Sequence, residues 1–70
     1  MTLIINLNTS GYNLELQGFP FRDGQYIESE THNGNDCLVS INLADEDDTD
    51  GMQEQYLNTN PAVVNYEVLP

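Results

Sequence analysis

Apolar and polar residues alternate along much of this chain, and the interruptions divide it into short elements. Leu3, Ile5 and Leu7 bracket Ile4 and Asn6 with the period of two that predicts a strand. Asn8-Thr9-Ser10-Gly11 is a turn cluster, after which Tyr12, Leu14 and Leu16 alternate with Asn13, Glu15 and Gln17. The connection is too short for a parallel crossover, so these two segments are expected to form an antiparallel hairpin.

Gly18-Phe19-Pro20-Phe21-Arg22-Asp23-Gly24 breaks the alternation. Pro20 has no N–H to donate, which makes this segment an edge or corner, with Phe19 and Phe21 folded over the end of the core. Gln25 to Thr31 reads as a further strand, with Glu28 and Glu30 on one face because residues two apart share a side. His32-Asn33-Gly34-Asn35-Asp36 holds an Asn-Gly hairpin signal, and Cys37 to Leu43 is the return strand. In it Cys37, Val39, Ile41 and Leu43 face inward, while Ser40 and Asn42 face out. Met52 to Leu57 fits one to two helical turns, with Met52, Tyr56 and Leu57 as the apolar stripe and Asp48, Thr49 or Asp50 as N-cap. Asn58-Thr59-Asn60-Pro61 ends that helix. Ala62 to Leu69 is the last strand, with Val64, Tyr66 and Val68 on one side. The expected fold is α+β, in the order β-β-β-β-α-β: an antiparallel sheet of four or five strands with one short helix.

The 70 residues form one domain, 1–70. Size scaling gives about 4,400 Å² of folded surface against roughly 11,000 Å² unfolded, so about 60% is buried. Such a thin core is often supported by dimerisation or a bound partner. A homodimer is therefore one expectation. Cys37 has no partner for an internal disulfide and sits in an apolar run, where cysteine acts as a small hydrophobe. Without a disulfide framework, so small a domain suits a reducing, cytoplasmic setting. No stretch approaches the ~20 apolar residues that cross a bilayer, and the N-terminus lacks the basic region of an export signal.

Charge changes the picture most. Twelve acidic residues face one basic residue, Arg22, and the formal net charge is −11. An ordinary small domain carries a net charge of roughly 2 to 8 in magnitude. The excess opposes folding by self-repulsion, so the charge is expected to serve a purpose. It also repels nucleic acid and anionic lipid, and direct binding to either is the least expected activity.

Few motifs compete with this reading. Placing Gly51 at position 6 of a calcium loop makes Glu46, Asp48 and Asp50 positions 1, 3 and 5, but position 12 is Leu57, which cannot ligate. Glu28 and Glu30 as a glycosidase pair would need a substrate-sized cleft. His32, with Asp36 to orient it and Ser29 or Ser40 nearby, belongs to no nucleophile motif and reads as an exposed turn residue. Glycine patterns that cradle phosphate are absent. The expectation is a binding protein, not an enzyme, and without a cofactor.

A body of this length should have a radius of gyration near ~11 Å and a diameter of about 28 Å. That puts one net charge on about every 2.5 Å, within a factor of two of the ~1.7 Å of duplex DNA. The residues expected to meet the Arg and Lys of a basic partner are Glu28 and Glu30 on their strand and Asp45, Glu46, Asp47, Asp48 and Asp50 in the loop. Tyr56 and Asn58 would flank them.

The small size, the lone Arg22 and the run Asp45-Glu46-Asp47-Asp48-Thr49-Asp50 resemble small phage-encoded inhibitors of bacterial defence, including anti-CRISPR proteins and other DNA mimics. The resemblance is one of profile, and no site residue is carried over from it. It implies an inhibitor in the host cytoplasm that binds a basic protein or nucleoprotein complex and excludes the nucleic acid. The alternatives are a small structural or assembly protein acting through a sheet edge and a weak acidic Ca²⁺-binding module.

Overall fold

A computed structural model describes residues 1–9 and 18–70. The described residues form strands β1 (Thr2–Leu7), β2 (Tyr26–Asn33) and β3 (Asp36–Asn42), helix α1 (Gly51–Thr59) and strand β4 (Val63–Leu69). The strands make one antiparallel sheet in the order β2-β3-β1-β4. The α+β architecture expected from the alternation is therefore present. The hairpin partner expected at Tyr12 to Gln17 lies outside the described residues. Both edges of β1 are filled by β3 and β4.

One face of the sheet carries the core. Leu3, Ile5 and Leu7 of β1 lie opposite Ile41, Val39 and Cys37 of β3, and all six are fully buried. Among the described residues, Leu57 of α1, Phe19, Leu43 and Ala62 belong to the same cluster. Phe19 is buried and meets Phe21 in a T-shaped contact with ring centroids 5.0 Å apart, while Phe21 stays exposed. The opposite face bears Thr2, Ile4 and Asn6 of β1 beside Asn42, Ser40 and Leu38 of β3. These residues are half-buried or exposed.

Three positions depart from simple alternation, each for a local reason. In β4, Tyr66 and Val68 face the core opposite Ile5 and Leu3, but a register shift at Asn6/Leu7 sets Val63 against Leu7. Val63 thus takes the core-side place expected for Val64, which is 55% exposed. In α1 Tyr56 and Leu57 pack on the core as expected, but fully buried Gln53 takes the inward place expected for Met52, which is 69% exposed. The β2–β3 turn is centred on Gly34-Asn35, one residue later than Asn33-Gly34. Among the residues of this turn only Gly34 has a positive φ, +65°, as in a II′ turn with glycine first. His32 accordingly lies within β2 and not in the turn.

Candidate partner-binding surface

The acidic segment begins where β3 ends. Leu43 N–H donates to the Met1 carbonyl, closing the ladder, and Ala44 then turns the chain with a left-handed φ of +59°. The Asn42 side chain fixes this corner: its oxygen accepts from Ala44 N–H at 2.7 Å, and its Nδ2 donates to Glu28 Oε1 at 2.6 Å. The strand carboxylate at Glu28 and the start of the acidic loop therefore share one end of the sheet.

Arg22 divides the loop carboxylates into two groups. Its guanidinium lies 2.9 Å from Glu46 Oε1 and 3.6 Å from Asp50 Oδ2. Glu46 and Asp50 thus turn toward the protein's single basic side chain. Asp45, Asp47 and Asp48 remain exposed to solvent. Asp48 also accepts from Thr49 N–H at 2.7 Å, a local turn contact.

Asp50 is the N-cap of α1. Its Oδ1 accepts from Gln53 N–H at 2.8 Å, and Gln53 Oε1 accepts from Asp50 N–H at 3.2 Å, a reciprocal capping box. This interlock sets the rotation of the helix, and that rotation turns Gln53 inward. Burial of its amide is tolerated because every polar atom is used: Nε2 donates to Pro20 O at 3.0 Å and to Gln25 Oε1 at 2.7 Å. Gln25 Oε1 also accepts from Arg22 N–H at 2.9 Å. The same polar knot thus supports the backbone of Arg22 and the base of the acidic loop. The spacing Asp50-x-x-Gln53 is the one sequence signal that could have revealed it.

Glu28 and Glu30 do not share a face. A bulge between Ile27 and Ser29 inserts Glu28 as an extra residue, so Ile27 lies opposite Ile41 while Ser29 lies opposite Ser40. Glu28 turns to Asn42 on the open face, and Glu30 aligns with Val39 on the core side. His32 is on the core side too, its Nε2 3.8 Å from Glu30 Oε1. Across from His32, burial pushes the Cys37 thiol above its ordinary pKa, and the negative charge of Glu30 adds to the shift. All eight residues of β2 are exposed.

Tyr56 and Asn58 sit two turns along α1 from its cap, about 9 to 12 Å from Asp50 at 1.5 Å per residue. Tyr56 is half-buried and meets Phe19 edge-on at 5.5 Å. Asn58 is exposed and accepts from the Tyr66 hydroxyl at 2.9 Å. The fold thus gathers Glu28 and the loop at one end of the sheet, carries Glu30 to the other face of β2, and leaves Tyr56 and Asn58 apart from them.

The calcium-loop pattern has no geometric support. Leu57, its twelfth position, is 2% exposed, and Asp50 is occupied by Gln53 and Arg22. Among the described residues no group of three His, Cys, Asp or Glu side chains is placed to hold a metal ion, and no helix is long and apolar enough to cross a membrane. A concavity of about 300 Å³ between Asn6, Thr31, Asn33, Asp36 and Leu38 holds a single carboxylate. Comparison with protein-family models, with curated proteins and with solved structures finds no match to this chain.

Proposed function

We propose that this protein is an acidic decoy that covers the nucleic-acid-binding surface of a bacterial defence effector and keeps the nucleic acid out. The observation that carries the reading is charge density. A net charge of −11 rides on a body 32 Å long, about one net charge per 3 Å against ~1.7 Å in duplex DNA. The exposed carboxylates of Glu28, Asp45, Asp47 and Asp48 supply acceptors near one end of the sheet for the partner's Arg and Lys. Glu30 contributes from the other side of the same strand. Glu46 and Asp50, already engaged with Arg22, act by holding the loop in place.

Such binding is steered electrostatically, fast, and weakened by salt. Fluorescence anisotropy of labelled DNA on a candidate effector tests it. Added protein should release the DNA at low salt and lose that ability as salt rises. DNA that stays bound to an active effector at saturating protein would end the decoy reading. A second reading, assembly through a sheet edge, draws on the exposure of β2. Self-association in light scattering, without affinity for basic partners, would favour it.

A further inference from the structure

The two edges of the sheet are not equivalent. β4, one edge strand, holds a single carboxylate, Glu67, and its Tyr66 hydroxyl is tied to Asn58 of α1. β2, the other, is eight residues long and exposed throughout. Among the described residues β3 is the only strand paired with β2, and the outer side of residues 26–31 faces no other strand. Edge strands are commonly protected by proline, by lysine or by being short. β2 has none of these protections. Its defences are a bulge and two carboxylates, which repel a copy of itself and attract a cation.

We propose that β2 receives an extended dibasic segment of a partner protein as an additional strand, with two adjacent basic residues meeting Glu28 and Glu30 on opposite faces of the sheet. The inference rests on the reading of a basic partner and names the part of it that is bound. The bulge carries the argument. In a regular strand Glu28 and Glu30 would lie on one face and would match basic residues two apart. The extra residue at Glu28 sends that carboxylate to Asn42 on the open face, while Glu30 stays on the core side with His32. Successive side chains of an added strand point to opposite faces, so neighbouring basic residues reach both. Tyr26, aligned with Asn42, and Ile27, aligned with Ile41, are exposed apolar contacts on the two faces at the start of the strand. Backbone pairing supplies affinity, and the face-split carboxylates supply selection. A second copy is a poor occupant, because edge-to-edge pairing would bring the Glu28 and Glu30 carboxylates of both copies together.

The probe is a synthetic peptide of alternating threonine and valine with a central Lys-Arg pair, titrated into the intact protein and followed by NMR. Amides of residues 26–31 should shift, and alternate ones should exchange more slowly. A peptide of identical charge, N-methylated at alternate backbone nitrogens in both registers, should not bind. Separating the Lys and Arg by one residue should weaken binding about five-fold, as should Glu30→Gln, the effect of losing one exposed ion pair. Equal binding by the N-methylated or spaced peptides, shifts confined to residues 45–50, or β2-to-β2 dimers in place of the peptide complex would each overturn the proposal. The two readings fail separately. Release of DNA from an effector alongside equal binding by the N-methylated peptide rejects strand addition and leaves the decoy. Peptide addition to β2 with DNA undisturbed does the reverse.

Discussion

The Gln53 side-chain amide donates to the Gln25 carboxamide oxygen at 2.7 Å inside the protein, tying α1 to the chain that enters β2. Gln53 is fully buried and Gln25 nearly so. Replacing Gln53 by leucine keeps the volume but removes the donors to Pro20 O and Gln25 and half of the capping box. Each buried group left unsatisfied costs about 1 to 3 kcal/mol. Gln53→Leu should therefore destabilise the fold by about 2 to 4 kcal/mol in urea unfolding. Adding Gln25→Leu should cost less than the sum of the single changes, because the two side chains share one network.

Gly24 and Ala44 form a second coupled pair. Gly24 has φ +84°, and a Cβ placed there would lie 3.2 Å from the Ala44 Cβ. Gly24→Ala should cost about 1 to 2 kcal/mol, from the left-handed backbone together with the close approach. Ala44 is itself left-handed at φ +59°. Ala44→Gly should gain up to about 1 kcal/mol, reduced by the greater freedom of glycine in the unfolded chain. Gly24→Ala should be milder in the Ala44→Gly background, where the opposing methyl is gone. Thermal unfolding of the four proteins checks the cycle.

The loop carboxylates should differ in their effect on stability. Asp50→Ala removes the N-cap and a partner of Arg22 and should cost about 1 to 2 kcal/mol. Asp48→Ala, at an exposed turn contact, should stay within about 0.5 kcal/mol. Equal losses in chemical denaturation would mean that the capping box is not what holds the loop. On the decoy reading the affinities should follow the opposite order, with exposed Asp48 costing more binding per unit of stability lost.

Cys37 links pH to stability. Its native pKa is raised by burial first and by Glu30 second, so the native state keeps a proton that the unfolded chain releases at high pH. The thiol leaves stability unchanged below the unfolded pKa of roughly 8.5 and lowers it as pH rises from there toward the native value. A Tm-against-pH series should show an alkaline decline that is smaller in Cys37→Ala. Labelling by a disulfide reagent at neutral pH should be slow and should accelerate in denaturant, because the thiol is fully buried. Rapid labelling of the folded protein would contradict this.

Net charge predicts the response to salt. Self-repulsion at −11 opposes the compact state, and screening relieves it over a Debye length of about 10 Å at 0.1 M. Tm should rise as sodium chloride is added from low ionic strength. Arg22→Gln should steepen that rise, since Glu46 and Asp50 lose their internal cation. A flat response in both proteins would argue that the carboxylates are too dispersed to repel.

The period of two was enough to find β1, β3 and β4, because each packs one face on the core and strand side chains alternate regardless of partners. Strand β2, exposed along its whole length, was marked by the Asn-Gly hairpin signal and the return strand after it. It also identified Cys37, Val39 and Ile41 as inward-facing, since β3 is regular opposite β1. It misplaced residues where the register is broken. Val64 and Glu28 fall at bulges, and a bulge belongs to a pair of strands, so one strand's pattern does not reveal it. The inward face of α1 was misjudged at one position for a related reason. Apolar spacing placed Tyr56 and Leu57 on the core but added Met52, whereas the capping box turns Gln53 inward, where Pro20 and Gln25, distant in sequence, satisfy its amide.

Composition and alternation alone thus fix an acidic, mostly β domain with a single basic side chain, because both are properties of the chain before it folds. Folding decides how those charges are divided. It commits Arg22 to Glu46 and Asp50, sends Glu28 and Glu30 to opposite faces of β2, and separates Tyr56 and Asn58 from the loop. Each of these outcomes depends on contacts between segments far apart in sequence. The bulge at Glu28 and the rotation of α1 are therefore set by tertiary packing, and the shape of the candidate surface follows from them.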